Sequence, residues 1–208
     1  MLGQEEAVHM LISVYRAAAG FSIIELLITV AVLGILFMVG LPSLATWMQN
    51  TQVRNSADAI ISGLQLARNE ALRRNRTVQF SLVDSLGATC VLSATGTNWV
   101  VSLVDPSSGC DVAPSDTTAP QIIQKRSAQE GSANALINSN FSSVSFSGIG
   151  RLATGSAATR ITVTSAVGTC QDAAGAIRCL RVDVAASGSV RMCDPAVSAT
   201  TDPRYCLP

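Results

Sequence analysis

The chain has 208 residues, of which 48% are hydrophobic and only 13% are charged, and its formal net charge is zero, so no overall charge draws it to nucleic acid or anionic lipid. Its one histidine is His9, close to the N-terminus, which leaves the rest of the chain without Ser-His-Asp or Cys-His catalysis and without a His-ligated metal. We therefore expect no enzyme, no catalytic residue, no metal and no cofactor.

The first element in chain order is an apolar run, 21–41, with the sequence FSIIELLITVAVLGILFMVGL. At about 1.5 Å per helical residue it spans roughly 31 Å, the thickness of a bilayer core. Its one charge is Glu25, and a carboxylate in hydrocarbon is costly and a candidate for function.

Three interpretations of this run compete. A secretory signal peptide would use Ser43-Leu44-Ala45 as a small-x-small cleavage site, but its apolar region would span only about 7–15 residues. A plain single-pass anchor would carry Glu25 by accident near the membrane edge. In the third interpretation the chain is cut before the run, which then stays on the protein as a helix.

The stretch Gly20-Phe21-Ser22-Ile23-Ile24-Glu25-Leu26-Leu27 resembles the type IV prepilin motif, with Gly before Phe and Glu at the fifth position of the mature chain. The resemblance implies a leader at 1–20, cleavage between Gly20 and Phe21 by a prepilin peptidase, and N-methylation of Phe21. Gly34 and Pro42 match the helix-weakening Gly and Pro of pilins and are the predicted helix kinks.

Cleavage before Phe21 would create a new ammonium, which attracts a carboxylate strongly in a low-dielectric bundle of helices. The family resemblance implies that Glu25 of an incoming subunit pairs with the Phe21 amine of a neighbour and sets its register. The alternative is a pair between Glu25 and the amine of its own chain.

Past Pro42, apolar residues recur at helical spacing of three and four, as on one stripe of an amphipathic helix. The stripe consists of Val53, Ala57, Ile60, Leu64, Ala67 and Ala71. We predict one long bent helix over about 21–74, with a membrane half at 21–42 and an amphipathic half at 43–75 that roofs a head domain.

The end of this helix resembles the AR-x-EA-x-x-R-N signature of the GspH/FimT group, which includes FimT/FimU-type minor pilins and the GspH pseudopilin of type II secretion. The residues that carry the resemblance are Ala67, Arg68, Glu70, Ala71, Arg74 and Asn75. Independently of the resemblance, basic residues in a last helical turn suit the helix dipole.

The remainder, 76–208, alternates short β-type runs with turn residues and predicts a small antiparallel sandwich. The predicted strands are Thr77–Val83, Thr89–Ala94, Trp99–Val104, Gln121–Lys125, Ser143–Ser147, Arg160–Thr164, Leu180–Ala185 and Ser189–Met192. A segment at 105–120 with three prolines is predicted as a loop. The expected fold is α+β and type IV pilin-like, with a long helix on a β-sandwich head.

Six cysteines, all C-terminal to the apolar run, indicate disulfides in an exported chain. Of about 15 connectivities that six cysteines allow, we favour pairing of sequence neighbours, because short loops close easily. The expected bonds are Cys90–Cys110, Cys170–Cys179 and Cys193–Cys206. Free buried thiols in a cytosolic domain are the alternative.

The C-terminal elements Cys193-Asp194-Pro195 and 202–206 (DPRYC) resemble the closing segment of FimU-like minor pilins. The loop closed by Cys193–Cys206 either contacts the next subunit at a filament tip or only staples the tail.

A DNA-binding role, known for some FimT-type relatives, is the less favoured hypothesis. Their G-R-x-R element corresponds here to Gly188-Ser189-Val190-Arg191, in which Ser189 replaces the first arginine. From residue 77 onward eight basic residues face nine acidic ones, so no basic excess is present. The candidate DNA contacts are Arg178, Arg181, Arg191 and Arg204; the alternative is that they pair with Asp183, Asp194 or Asp202.

The sequence thus predicts a structural minor pilin that waits in the bacterial inner membrane with a periplasmic head and then joins a type IV pilus at the cell surface, in a priming or tip complex that supports twitching. Expected partners are membrane lipid, the prepilin peptidase, the inner-membrane assembly platform, other minor pilins and the major pilin. A GspH-type pseudopilin of type II secretion and a DNA-binding minor pilin are the alternatives.

Overall fold

The structure is a computed structural model that describes residues 21–128, 130–153 and 159–207, without the side chains of Val39, Leu41 and Pro42. The predicted leader, including Gly20, lies outside the described residues. The chain divides into two compact units, Met1–Pro42 and Ser43–Pro208.

One helix, α1, runs over Ile23–Arg74. Its first turn contains Glu25 and its last turn contains Arg73 and Arg74, so the charges at both ends complement the helix dipole. Asn75 follows with a φ of 47°, the left-handed conformation that commonly stops a helix. The helix includes both Gly34 and Pro42, so neither residue ends it.

Eight strands follow the helix and form two four-stranded sheets. They are β1 (Val78–Val83), β2 (Asn98–Ser102), β3 (Ile122–Arg126), β4 (Ala135–Ser139), β5 (Ser143–Phe146), β6 (Thr159–Ser165), β7 (Leu180–Val184) and β8 (Val190–Cys193). The first sheet has the order β3-β2-β1-β5 and the second β4-β6-β7-β8, and every named pairing is antiparallel.

The stripe of α1 is buried against both sheets in one core. All six stripe residues are at most 1% exposed, and they share the core with Phe80 and Phe146 of the first sheet and Ile161 and Val182 of the second. This arrangement confirms the predicted α+β fold of a long helix packed on antiparallel sheets.

One predicted strand is absent from the structure, and one observed strand was not predicted. The run Thr89–Ala94 is a loop with one isolated bridge, Val83 to Leu92, because Cys90 is drawn into a separate small core. The missed strand is β4, whose sequence ALINS does not alternate apolar with polar residues, although its positions alternate regularly between buried and exposed.

The small second core lies where the loops after β1 and β2 meet the first sheet, and it contains Val83, Cys90, Val100, Cys110 and Ile122. The loop 105–120, called the acidic loop because its charged residues are three aspartates, is fixed here. The Lys125 Nζ donates to the carbonyl oxygens of residues 110, 111 and 112 at 2.7, 2.9 and 3.1 Å. The lone lysine is thus a structural clamp on this loop.

Gly63 marks a close approach of α1 to the first sheet. A Cβ at this position would lie 2.7 Å from the Phe80 ring and 3.2 Å from the Trp99 ring. We expect Gly63→Ala to lower the free energy of unfolding, because overpacking costs about 1–3 kcal/mol, against a gain of at most about 1 kcal/mol in helix propensity. Guanidinium unfolding of the detergent-solubilised full chain, followed by tryptophan fluorescence, measures the change.

Gly34→Ala is the matched control, because a Cβ there would meet no atom within 4 Å. A Gly63→Ala chain as stable as the Gly34→Ala chain would contradict the close packing.

Candidate assembly helix and head surfaces

The N-terminal part of α1 presents apolar side chains outward on all sides. In its most apolar stretch of 18 residues, 0% of the residues are buried. By length and composition the helix is able to cross a membrane. Phe21 is 85% exposed and Met38 80%. So large an apolar surface needs lipid or other apolar helices to cover it.

Glu25 lies in the first turn of this apolar segment and is exposed, four residues after Phe21. Among the described residues of 21–38 it is the only charged one. The exposed carboxylate of Glu25 is available to a cation supplied by another molecule. Without such a partner, its charge would be costly in lipid.

A row of four amide side chains joins the next part of α1 to strand β6 and to loops next to the second sheet. Three of them accept hydrogen bonds, from the Ser165 hydroxyl and from two backbone N–H groups, and one donates to a backbone carbonyl. The pairs are Gln49–Ser165 (3.0 Å), Asn50–Arg178 N (2.7 Å), Gln52–Asn134 N (3.0 Å) and Asn55–Gly131 O (3.3 Å). These hydrogen bonds fix the position of α1 along the second sheet.

The signature at the end of α1 docks the helix onto the head. Ala67 and Ala71 are fully buried, and the Arg68 Nε donates to the Gly150 carbonyl at 3.0 Å. Glu70 accepts from both Arg73 and Arg74, and the hydrogen bond from Arg73 is the main reason that its pKa lies below the ordinary value.

Arg74 extends this network to the acidic loop. Its Nη2 lies 2.6 Å from Asp116 Oδ1, while its Nε lies 2.8 Å from Glu70. The guanidinium therefore ties the acidic loop to the last turn of α1. In this chain, Arg68, Glu70 and Arg74 of the signature therefore hold the end of α1 on the head.

The C-terminal strap, residues 194–207, lies over β7 and β8. Two of the candidate DNA-binding arginines hold it: Arg191 donates to the carbonyls of Pro203 (2.9 Å) and Tyr205, and Arg181 donates to the carbonyl of Leu207. The Asp194 N–H also donates to the Arg204 carbonyl at 2.8 Å.

The four arginines do not form one free cationic patch. Besides their bonds to the strap, three of them pair with aspartates, which is the pairing that the sequence offered as the alternative to DNA contact. The pairs are Arg178–Asp194 (2.6 Å), Arg181–Asp183 (2.8 Å) and Arg204–Asp202 (2.7 Å). Phosphate binding would have to compete with these partners.

Gly188, the glycine of the G-x-x-R element, has a close packing role. Its φ is 80°, and a Cβ there would lie 2.0 Å from the Gly150 carbonyl oxygen. Glycine at this position is therefore explained by the contact between the β7–β8 turn and the loop after β5.

Three disulfides join Cys90 to Cys110, Cys170 to Cys179 and Cys193 to Cys206, which is the neighbour pairing expected from the sequence. Each typically contributes about 2–4 kcal/mol to stability. The third anchors the C-terminal strap to the end of β8. Within the described part of the chain, no group of three or more His, Cys, Asp or Glu is arranged to hold a metal ion.

A cleft of about 440 Å³ opens between α1 and the strap side of the second sheet. Its apolar lining includes Trp47, Leu180 and Met192, and its ionisable lining consists of three arginines and one aspartate: Arg54, Arg178, Arg204 and Asp194. We call it the arginine cleft. It brings together two of the four arginines singled out in the sequence.

Sequence reasoning missed several of these residues. The helix amides, Trp47 and Arg54 received no role, although four amide side chains within seven residues (49–55) are an unusual density next to an apolar stripe. Asp116 and Lys125 gave no local signal, because their partners lie far away in the chain.

Comparison with known proteins agrees with this architecture. A family model described as "Type II transport protein GspH" matches residues 56–188, and one described as "Prokaryotic N-terminal methylation motif" matches residues 15–41. None of the curated proteins matches the chain.

Among solved structures, the type IV minor pilin FimU of Pseudomonas aeruginosa (strain PAO1) is similar in two crystal forms. The P21 form has a TM-score of 0.47 at 10% sequence identity and covers 70% of this chain and 91% of FimU. The P65 form has a TM-score of 0.45 at 10% identity and covers 67% and 90%.

The pair of Asp202 and Arg204 makes the strap sensitive to acid. Hydrogen bonds from the Arg204 side chain and backbone N–H lower the pKa of Asp202 from 3.8 to about 2. Because the pKa is lower in the folded chain, the carboxylate stabilises the fold in full above about pH 4 and loses this effect as the pH falls through 2. In guanidinium unfolding, the stability difference between the native chain and Asp202→Asn should therefore shrink over this interval.

Asp172→Asn serves as the control, because Asp172 is exposed and outside the strap. A difference between native chain and Asp202→Asn that stays constant from pH 5 to pH 2 would contradict the pairing.

Proposed function

Because this chain belongs to the GspH family of type IV pilin-like subunits, a structural family without enzymatic activity, we propose that it is a minor pilin of a type IV pilus. In this proposal it is cut between Gly20 and Phe21, N-methylated at Phe21, and built into a priming or tip complex that supports pilus assembly and twitching. The match to the methylation motif over residues 15–41 supports the processing steps.

The observation that carries the proposal is the apolar N-terminal part of α1, which is exposed on all sides and has one carboxylate in its first turn. A soluble enzyme or binding domain has no need of such a surface. A filament subunit needs it in two environments. It lies in the bacterial inner membrane first, with the head in the periplasm, and packs against the helices of other subunits afterwards.

Glu25 has a defined part in this transfer. In the membrane its charge is costly, and in the filament it pairs with the Phe21 ammonium of a neighbouring subunit. The pairing favours insertion in one register. Gly34 and Pro42 would let the helix bend while it moves, because proline removes a helical hydrogen bond and glycine weakens the helix.

The partners follow from these steps. They are the prepilin peptidase, the inner-membrane assembly platform, other minor pilins and the major pilin. DNA is not a favoured partner, because Arg181 and Arg191 are bonded to the strap and Arg178 and Arg204 are paired with aspartates.

A pseudopilin of type II secretion is the second candidate function. The description of the matching family, type II transport protein GspH, favours it. Both functions use the same helix, the same processing and the same pairing by Glu25. They differ in the machine that receives the subunit, so a deletion strain separates them by loss of surface pili or by loss of secreted proteins.

Intact-mass spectrometry of the membrane-extracted chain tests the processing. We expect the mature mass to begin at Phe21, with one added methyl group of about 14 Da and a loss of about 6 Da for three disulfides that together release six hydrogens. Reduction should restore the six hydrogens and leave the methyl group. A mass that includes residues 1–20 would contradict the proposal.

Glu25→Ala tests assembly in a strain that lacks the native gene. We expect normal cleavage at Gly20–Phe21 but surface piliation and twitching reduced at least tenfold, because the register-setting pair is lost. Sheared surface pilin, twitching-zone diameter and secreted protein are measured together.

Thr29→Ala is the matched control in the same helix, since it removes a polar side chain whose hydroxyl donates to the Leu26 carbonyl of its own turn. It should assemble normally. If Glu25→Ala restores piliation, twitching and secretion as well as the native gene does, Glu25 has no assembly role.

A further inference from the structure

The part of α1 just before the buried stripe points its large apolar side chains outward. From Val53 to Ala71 the stripe faces the sheets and is buried. Two turns earlier, Leu44, Trp47 and Met48 share one face of the helix, at spacings of three and four residues. Leu44 is 55% exposed, Trp47 65% and Met48 52%. We call these three residues the Trp47 patch.

Polar side chains of the same turns bind the head instead. Gln49 accepts a hydrogen bond from the Ser165 hydroxyl at 3.0 Å, and Asn50 accepts one from the Arg178 backbone N–H at 2.7 Å. A surface helix in water usually has the opposite arrangement, with apolar residues on the protein and polar residues outside. The Trp47 patch therefore needs an apolar surrounding outside the head.

The Trp47 patch directly continues the membrane-spanning segment of the chain. Leu44 is only three positions beyond Leu41, the last residue of the apolar run, and residues 43–50 are helical. No charged residue lies between Glu25 and Arg54. The bilayer that covers the apolar run is therefore the surrounding that chain continuity favours for the patch.

The helical rise gives the depth at which the patch would lie. If the hydrocarbon core began at Phe21, it would end near Leu41, with Glu25 about 6 Å inside it and Trp47 about 9 Å beyond it. The 20 residues at 26–45 are also uncharged and also span about 30 Å. With this span, Glu25 lies at one boundary and Trp47 about 3 Å beyond the other.

The second position is more favourable at both ends. It takes the carboxylate of Glu25 out of the hydrocarbon, where a charge is costly. It also brings Trp47 to the headgroup level, where the amphipathic indole ring is enriched in membrane proteins. Leu44 then lies at the edge of the hydrocarbon and no longer in water.

We infer that the membrane span of the waiting subunit is 26–45 and that the Trp47 patch lies in the headgroup layer of the periplasmic leaflet. The partner of the patch is the lipid bilayer. The end of the head that binds Gln49 and Asn50 therefore lies at the membrane surface. The inference rests on the proposed function, because it specifies how the subunit is seated in the inner membrane before assembly.

Fluorescence quenching in vesicles tests the depth of Trp47. The chain has two tryptophans, and Trp99 is only 3% exposed. Full chain with Trp99→Phe is reconstituted at a high lipid-to-protein ratio in phosphatidylethanolamine and phosphatidylglycerol, with lipids brominated either near the headgroup or near the bilayer centre. We expect shallow bromines to lower the Trp47 emission about twofold and deep bromines to lower it by less than about a fifth, because the ring lies at the interface.

Phe37→Trp, in a chain that also carries Trp47→Phe and Trp99→Phe, is the matched control for depth. Phe37 is 12 positions after Glu25, or about 18 Å, so deep bromines should quench it more than shallow ones. The opposite order would show that the assigned span is wrong. Trp47→Phe alone leaves Trp99, which neither lipid should quench. If Trp99→Phe unfolds the head, the difference between the native chain and Trp47→Phe gives the quenching of Trp47.

Iodide on both sides of the vesicles completes the measurement. Quenching of Trp47 by iodide but not by brominated lipid would place the ring in water and overturn the inference. Stronger quenching by deep than by shallow bromines would also overturn it. Protection from both quenchers that disappears on dilution with lipid would overturn it as well and identify a second copy of the chain as the cover of the patch.

These outcomes do not depend on cleavage, methylation or the assembly machine. Trp47 in water, together with an assembly defect of Glu25→Ala, would reject the membrane contact of the patch and keep the proposed function. Trp47 at headgroup depth, together with normal assembly of Glu25→Ala, would keep the contact and reject the role of Glu25.

Discussion

Burial of the stripe on α1 is the constraint on which the head depends. Strands from both sheets contribute to the same core, and the helix is the element that joins them. The stripe uses small residues where the sheets come closest, with Ala57, Ala67 and Ala71 fully buried and Gly63 under the Phe80 ring. Larger side chains would lift the helix from the sheets, so the close approach depends on these small residues.

Polar contacts at both ends of this stripe hold the helix in one position. Amide side chains bond to loops of the second sheet near residue 50, and the signature residues bond to the Gly150 carbonyl and the acidic loop near residue 74. Hydrophobic burial is not directional, whereas these hydrogen bonds are. In the proposed filament subunit, these bonds would keep this part of α1 in one position on the sheets.

The charged residues of the head pair mainly with other groups of the head itself. Three of its arginines pair with aspartates, and the lone lysine donates to three backbone carbonyls. Three disulfides add to the stability of the head. The strap shows the result: arginines that look like a nucleic-acid motif in the sequence act here as donors to the C-terminal carbonyls.

The sequence by itself determined the elements that depend on local pattern: the apolar helix with Glu25, the stripe from Val53 to Ala71, seven of the eight strands, and the family signature. Periodicity is a property of neighbouring residues, so a single sequence contains it. Only the tertiary structure decided that β4 pairs with β6, that Arg74 bonds to Asp116, and that Trp47 and Arg204 line one cleft. These partners are dozens of residues apart, and the folded core alone brings them together.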